Sequence, residues 1–279
     1  MTMRKEIFTP EKKQQIYRLL LYGGAVIVGV WILAPIALIA LAALSTPRDL
    51  YDIHKVLPTS FTLDHMYKLL FVLGAWQALI NSILVALLTI GLSFLLGLPA
   101  GYALSRFIFP GRDTLKLLVL TTRMFPVMIL AIPLTVLYIQ LGLSDTLVGV
   151  ALAHTSMVLP FVILITSSIF ASVPVEYEEA AMIFGLSHAK AFLKVTLPLA
   201  LPGLAASAIF TFIMSWNEVF VAAILTFTNR TLPAHILTTA LASPDYFKFA
   251  AGLIMTIPAM IFVFIARKYL VTMWGITLR

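Results

Sequence analysis

The sequence has no cysteine and few charged residues. Without cysteine there is no disulfide framework, thiol nucleophile or thiolate metal site to consider. Asp, Glu, Lys and Arg make up 11% of the 279 residues, whereas hydrophobic residues make up 61%. Ordinary globular proteins are about a quarter charged, and a soluble domain with this balance would expose more apolar surface than water tolerates. The composition therefore predicts an integral membrane protein.

Several catalytic and nucleotide-binding motifs are also absent from the sequence. No segment matches the Gly-x-x-x-x-Gly-Lys-Ser/Thr phosphate loop, so we expect no P-loop binding of ATP by this chain. Neither His-Glu-x-x-His nor Gly-x-Ser-x-Gly occurs, which counts against an enzyme. We expect no catalytic residue, no metal site and no cofactor bound by the chain itself. The net charge of +7 does not indicate a nucleic-acid partner, because the basic residues stand at the ends of apolar runs.

Six long stretches of the chain lack Asp, Glu, Lys and Arg. Each is close to or longer than the roughly 20 residues needed to cross about 30 Å of hydrocarbon as a helix, and a helix satisfies its own backbone there. The stretches are 19–47, 69–105, 124–144, 146–175, 195–217 and 249–266, the last extending to about 271. The sequence predicts an all-α, six-helix membrane domain over 19–272, between tails at 1–18 and 273–279.

Lysine and arginine predict the orientation of these spans. With six spans both chain ends lie on one side, and that side would carry 14 of the 19 Lys and Arg residues, counting Arg123 before the third span. The positive-inside rule places this side in the cytoplasm. We also expect no cleaved signal peptide, because the first apolar run is too long and lacks a small-residue cleavage site.

A polar segment at about 173–200 separates the fourth and fifth spans. Pro174 suits a helix start, and acidic residues in the first turn favour the positive end of the helix dipole, so we predict a helix over about 175–184. Residues on one face of this helix are apolar, and its two alanines permit close approach by a partner surface. The face consists of Tyr177, Ala180, Ala181 and Phe184.

Gly185 follows this helix and can adopt a positive φ, which predicts that the helix ends there. Ser187 can cap a second helix carrying Lys190 and Lys194, before Leu197-Pro198 returns the chain to the membrane. The predicted result is a helix-turn-helix elbow lying along the cytoplasmic face of the bilayer.

The spacing within the elbow resembles the cytoplasmic EAA loop of ABC-importer permeases. An ordinary amphipathic loop is the competing interpretation, and the complete spacing favours the motif. The motif residues are Glu179, Ala180, Ala181, Gly185, Val195, Leu197 and Pro198. In that family the loop forms a coupling helix that docks on an ATP-binding subunit, so the resemblance implies that these seven residues couple the chain to an ATPase.

Three further segments are similar to the permeases of maltose-type carbohydrate importers: Asn81-Ser82, the run 101–106, and Ser215-Trp216-Asn217-Glu218. The resemblance covers nearly the whole chain after about residue 19. It implies a prokaryotic inner-membrane permease with cytoplasmic termini that imports a sugar or oligosaccharide, or a polyol or glycerol derivative, by alternating access. It also implies three protein partners besides lipid: a second homologous permease, two copies of an ATP-binding subunit that uses ATP and Mg, and an extracytoplasmic solute-binding protein.

Asn217 and Glu218 are the most unusual pair within the predicted spans. An ionisable side chain near mid-membrane costs on the order of 3 kcal/mol on insertion scales, so it should face protein, water or solute. One hypothesis places Trp216, Asn217 and Glu218 along the solute path, and the other gives Glu218 a structural hydrogen bond. We expect His154 to be a hydrogen-bonded histidine of the helix bundle and Arg123 to be an interfacial anchor.

A stand-alone ion-coupled secondary transporter is the alternative function. Such carriers commonly show inverted repeats and several buried charges, whereas here only Glu218 is expected to be a buried charged residue. An ion-coupled carrier also has no use for a docking elbow.

Overall fold

The computed structural model describes residues 10–55, 57–240 and 243–273. Half of the first predicted tail (1–9) and most of the second (274–279) lie outside the described residues. Ten helices longer than one turn follow in chain order, and they are α1 (Pro10–Leu44), α2 (Ala75–Arg106), α3 (Arg112–Thr121), α4 (Val127–Gln140), α5 (Leu147–Ser172), α6 (Val175–Ile183), α7 (His188–Trp216), α8 (Phe220–Leu225), α9 (Leu232–Ala240) and α10 (Asp245–Met273). Short helical turns also occur at Pro47–Leu50, Asp64–Tyr67, Lys68–Val72 and Thr122–Met124.

Within the described residues, five helices are long and apolar enough to cross a membrane, and a sixth span is formed if the bent pair α3 and α4 crosses as one. The five are α1, α2, α5, α7 and α10. The all-helical membrane architecture predicted from the sequence is therefore confirmed.

The third span is broken, which the sequence-based prediction of one stretch over 124–144 did not include. The axes of α3 and α4 meet at 86°. Proline disfavours helical geometry at the residue before it, and Phe125, which precedes Pro126, has an extended backbone at φ −72° and ψ 123°. The chain turns at this Phe-Pro step, so the predicted stretch contains only α4, and α3 precedes it as the other part of the bent pair.

The predicted second helix of the elbow begins at His188, directly after Ser187, and it continues into the fifth span without a break. Helix α7 runs unbroken from His188 to Trp216. A π-helical turn at Phe192–Thr196 lies just ahead of Pro198. Proline lacks an N–H and crowds the carbonyl four residues earlier, and a π-helical turn accommodates such a position without ending the helix.

Helices α2 and α5 form the centre of the bundle because their backbones approach closely. A Cβ atom at Gly101 would collide with the Oγ1 of Thr166, and one at Gly97 would lie 2.7 Å from the Cγ1 of Val162. Both glycines are therefore needed for the contact between these two helices. At the edge of the bundle, α1 packs against α10 and is otherwise exposed.

Candidate functional site

Helix α6 begins and ends close to where the sequence predicted. It spans Val175–Ile183, with Pro174 in an extended conformation ahead of it. Gly185 has a φ of +89°, which confirms the predicted positive φ. The N–H of Gly185 donates to Met182 O at 2.9 Å, and the N–H of Leu186 donates to Ala181 O at 3.1 Å. This pair of bonds is a Schellman motif, which satisfies carbonyls at the helix end and reverses the chain.

Ser187 occupies the position before α7, as predicted, but its hydroxyl makes no capping hydrogen bond. Its carbonyl instead accepts the N–H of Ala191 at 2.8 Å. The first turn of α7 is therefore held through the backbone.

A buried carboxylate, Glu178, fastens the elbow to the membrane helices. Its Oε1 accepts the hydroxyl of Tyr102. Its Oε2 accepts Arg106 Nε at 3.1 Å and Thr196 Oγ1 at 3.0 Å. Arg106 also donates to Val173 O at 3.0 Å. One side chain of α6 thus joins the C-terminal end of α2 to the start of α7.

Three aromatic rings pack together where the elbow meets the membrane helices. The ring centroids of Tyr102 and Phe192 are 4.6 Å apart, those of Phe170 and Phe192 are 5.5 Å apart, and those of Tyr102 and Phe170 are 5.9 Å apart. Tyr102 belongs to α2, Phe170 to α5 and Phe192 to α7. Because the same tyrosine packs in this cluster and donates to Glu178, packing and hydrogen bonding fix the elbow together.

The two faces of α6 differ from the single stripe predicted from the sequence. Ala181 is only 9% exposed and faces the protein interior. Ile183 and Phe184 are 85% and 89% exposed, and Tyr177 is also exposed. Ala181 was therefore assigned to the wrong face, because Glu178, one turn earlier, is the residue that points inward. The outward apolar surface, here called the elbow face, consists of Tyr177, Ala180, Ile183 and Phe184.

The remaining motif residues lie along the continuous helix α7 or on α6. Glu179 is exposed on α6. Val195 is half-buried and Pro198 is exposed. Leu197 packs against the buried cluster that contains Phe170 and Leu204. The structure therefore exposes Glu179, Ala180 and Gly185 of the motif, buries Ala181 and packs Leu197 inside the bundle.

The end of the fifth span holds the second group of candidate residues. Helix α7 ends at Trp216, whose ring is 1% exposed and whose Nε1 donates to Met255 O at 3.1 Å. Asn217 is exposed, and its Nδ2 donates to Ile213 O at 3.0 Å. The predicted span over 195–217 thus ends at the expected place, and the assignment of Trp216, Asn217 and Glu218 to a solute path stays a prediction.

Glu218 makes the structural contacts that one of the two hypotheses required. Its carboxylate accepts the backbone N–H groups of Val221 at 2.9 Å and Ala222 at 3.0 Å, which satisfies unpaired donors at the start of α8. Its Oε2 also lies 3.1 Å from Nε2 of His154. The Nδ1 of His154 lies 2.8 Å from Ser215 Oγ, so the expectation of a hydrogen-bonded bundle histidine is confirmed.

Sequence reasoning missed Glu178 and Asp49 as buried acids. Each is less than a tenth exposed. Glu178 stands in a run of three glutamates in four residues, and only the partners from α2 single it out. Within the part of the chain that the structure describes, no group of three or more His, Asp or Glu side chains could hold a metal ion.

Comparison with known proteins decides the family. Residues 93–273 match the family described as "Binding-protein-dependent transport system inner membrane component". The chain belongs to this family. It is the membrane-spanning permease subunit of an ABC importer, and the comparisons give no support to the ion-coupled alternative.

Curated relatives match along most of this permease. The trehalose transport system permease protein SugB of Mycobacterium tuberculosis (strain CDC 1551 / Oshkosh) is 34% identical over 259 residues, which cover 90% of this chain and 91% of the relative. The diacetylchitobiose uptake system permease protein NgcG of Streptomyces coelicolor (strain ATCC BAA-471 / A3(2) / M145) is 31% identical over 224 residues, covering 75% and 73%.

The fold of the permease also matches a solved structure, that of a bacterial ABC transporter involved in the import of the acidic polysaccharide alginate. The TM-score is 0.73 at 22% identity, with 95% of this chain and 99% of the other chain covered. At this identity the similarity shows the fold alone. It agrees with a multi-pass membrane subunit of the importer type.

Proposed function

We propose that this permease moves a carbohydrate into the cell as one half of a two-permease channel. In this proposal two copies of an ATP-binding subunit, which use ATP and Mg, sit on the cytoplasmic side, and a solute-binding protein delivers the carbohydrate from outside. The observation that carries the proposal is the elbow face. It presents four apolar side chains to water on a loop that Glu178 fixes to the bundle. Apolar side chains clustered on a rigid surface are typical of protein docking sites.

The charge distribution supports the orientation that we propose for the permease. Counting the bent pair as one span gives six spans and places both termini on one side. Leaving out Arg123, whose position is described below, that side still carries most of the Lys and Arg residues, and it includes the elbow. The positive-inside rule supports a cytoplasmic location for this side of the inner membrane.

The contacts of the elbow support alternating access as the mechanism. Glu178 bonds to side chains of both α2 and α7. A displacement of α6 by a closing ATPase pair therefore acts on two membrane helices at once. Rigid-body rotation of packed helices is a common route to such transitions. ATP hydrolysis itself belongs to the separate subunit in this proposal.

The solute class is supported by the relatives, which include a trehalose transport permease and a diacetylchitobiose uptake permease. Both are sugars built from two rings. We therefore propose a sugar or oligosaccharide as the solute. Trp216, Asn217 and Glu218 are kept as proposed residues of the solute path, where the exposed amide of Asn217 is the group best placed to reach a hydroxyl.

The test is reconstitution of the complex in liposomes with its binding protein and labelled trehalose as the first probe. We expect uptake that requires both ATP and the binding protein. Complexes that lack the ATP-binding subunit provide the control. Uptake by the purified single chain under an ion gradient, without ATP, would contradict the proposal and restore the secondary-transporter alternative.

A further inference from the structure

The guanidinium of Arg123 lies beside the middle of helix α5. Its guanidinium carbon is 5.2 Å from the ring centroid of Phe161. Phe161 belongs to α5, which spans Leu147–Ser172. At 1.5 Å per residue, Phe161 is about 21 Å from one end of that helix and about 17 Å from the other. An interfacial anchor would instead be expected near a helix end, so the contact with Phe161 favours a position within the span.

The guanidinium of Arg123 is incompletely paired. Its Nε is buried and has no hydrogen-bond partner among the described residues. No carboxylate of the described residues forms an ion pair with it. Contact with the face of an aromatic ring attracts a guanidinium but leaves its N–H groups without acceptors. Such a charge at mid-membrane is costly against lipid and is expected to face water, solute or protein.

The surroundings of Arg123 point in the same direction. It lies at the break between α3 and α4, where irregular backbone is tolerated only inside protein or beside a water-filled cavity. The hydroxyls of Thr121 and Thr122 donate to backbone carbonyls three residues earlier in the helix, at 2.8 Å and 2.7 Å. The flanking Met124 and Phe125 are exposed in the single chain. The break is therefore open on one side, next to the half-buried Arg123.

The aromatic wall beside Arg123 extends to a third helix. The rings of Phe161 and Phe210, which belong to α5 and α7, are 5.5 Å apart between centroids, and both side chains are half-buried. Aromatic rings pack against the C–H faces of sugar rings. A guanidinium donates several hydrogen bonds to oxygen acceptors. An apolar wall with a small number of precisely placed polar groups is typical of small-molecule binding sites.

We infer that Arg123, Phe161 and Phe210 form a solute-recognition patch on the wall of the translocation cavity. The patch binds a sugar ring. The guanidinium of Arg123 donates to a hydroxyl or carboxylate oxygen of the sugar, and the phenyl rings of Phe161 and Phe210 contact the carbon atoms of the sugar ring. Phe161 holds the guanidinium in place. This inference rests on the proposed function, because it assigns a role within the same transport path.

The experiment uses the absence of cysteine from the chain. Phe161→Cys is introduced into this permease, which is assembled with its cysteine-free partner subunits in liposomes. Two water-soluble methanethiosulfonate reagents, one anionic and one cationic, are then allowed to react. Val162→Cys is the matched control, because Val162 is the next residue of the same helix and is fully buried. Labelling rates do not depend on ATP hydrolysis, so failure of the patch and failure of ATPase coupling give different results.

We expect Phe161→Cys to react at least tenfold faster than Val162→Cys. We also expect it to prefer the anionic reagent by about tenfold, as for a unit charge within about 6 Å in water. The preference should disappear in the double variant with Arg123→Gln and persist with Arg123→Lys. Labelling as slow as at Val162 would overturn the proposal by showing that this face is covered. Fast labelling without charge preference would overturn it by showing that an acid of another subunit neutralises Arg123.

Discussion

Glu178 of the elbow and Arg106 at the end of α2 form an ion pair, with Nε and Oε2 3.1 Å apart and side chains 11% and 4% exposed for the arginine and the glutamate. The two residues are 72 positions apart in the sequence. Two hydroxyls complete the shell of the carboxylate. A buried carboxylate needs hydrogen bonds to the lone pairs that its ion pair leaves free, and these hydroxyls provide them. The pair ties the elbow rigidly to the bundle.

The first prediction concerns this anchor. Glu178→Ala should lower the free energy of unfolding of the purified complex by about 3 kcal/mol, because it leaves a buried arginine without its partner. Uptake should fall with it, since the elbow is no longer fixed to α2 and α7. Thermal unfolding followed by tryptophan fluorescence measures the first effect. Glu176→Gln, on the exposed side of the same helix, is the control, and equal unfolding temperatures for the two variants would refute the anchoring role.

Gly185 provides the second prediction. A Cβ atom there meets no other atom within 4 Å, but the φ of +89° strains any L side chain. Gly185→Val should therefore destabilise the turn by about 1–2 kcal/mol through the backbone alone, and it should reduce recovery of the ATP-binding subunit during purification. Gly185→Asn tolerates a positive φ better. If the valine and asparagine variants retain the ATPase equally, the turn geometry is not what docking requires.

The elbow shows how much local sequence reveals and where it stops. The helix bounds, the positive φ of Gly185 and the polar character of the loop all follow from local rules of capping and periodicity. The direction in which Ala181 points does not, because it depends on Glu178 pairing with Arg106 and Tyr102 on a distant helix. Helical spacing identifies residues that share a face, whereas long-range partners decide which face is buried.

In the membrane spans too, local sequence predicts the helices but not the long-range contacts. Apolar length located five continuous spans correctly, because each must bury its backbone in hydrocarbon. The break at Phe125-Pro126 had a signal in the proline, yet a run of apolar residues concealed it. Arg123 looked interfacial because it stands at the edge of that run. Only the 86° bend and the contact with Phe161 place its guanidinium beside the middle of α5.

The third prediction separates the two roles considered for Glu218. Glu218→Leu leaves the N–H groups of Val221 and Ala222 and the ring of His154 without an acceptor, so it should cost about 3 kcal/mol of stability. Glu218→Gln keeps one oxygen that can accept some of these hydrogen bonds, so its loss of stability should be smaller. Unfolding temperature and complex yield measure both. A stable, fully assembled Glu218→Leu complex that has lost uptake would instead favour the solute-path hypothesis.

Asp49 gives a prediction on pH. Hydrogen bonds from the Lys55 ammonium and from Ser60, together with Thr59, hold the pKa of this carboxyl well below its ordinary value. Because the folded-state pKa is lowered, the stabilisation is present above the unfolded value of about 3.9 and is lost as pH falls through the folded value. The loop between α1 and α2 should therefore resist external protease equally at pH 7 and pH 5 in right-side-out vesicles. Asp49→Asn should be cleaved faster at both, and acid-induced cleavage of the wild type between these values would contradict the assignment.

Contact between the elbow face and the ATP-binding subunit is the central claim, and site-specific photo-crosslinking tests it most directly. Benzoylphenylalanine is placed at Phe184, which is 89% exposed, and separately at the inward-facing Ala181. On irradiation of the assembled complex, we predict that position 184 crosslinks to the ATP-binding subunit and that the crosslink changes in yield when ATP binds. Position 181 should yield no such product. Efficient crosslinking from 184 only to lipid or to the second permease would contradict the account.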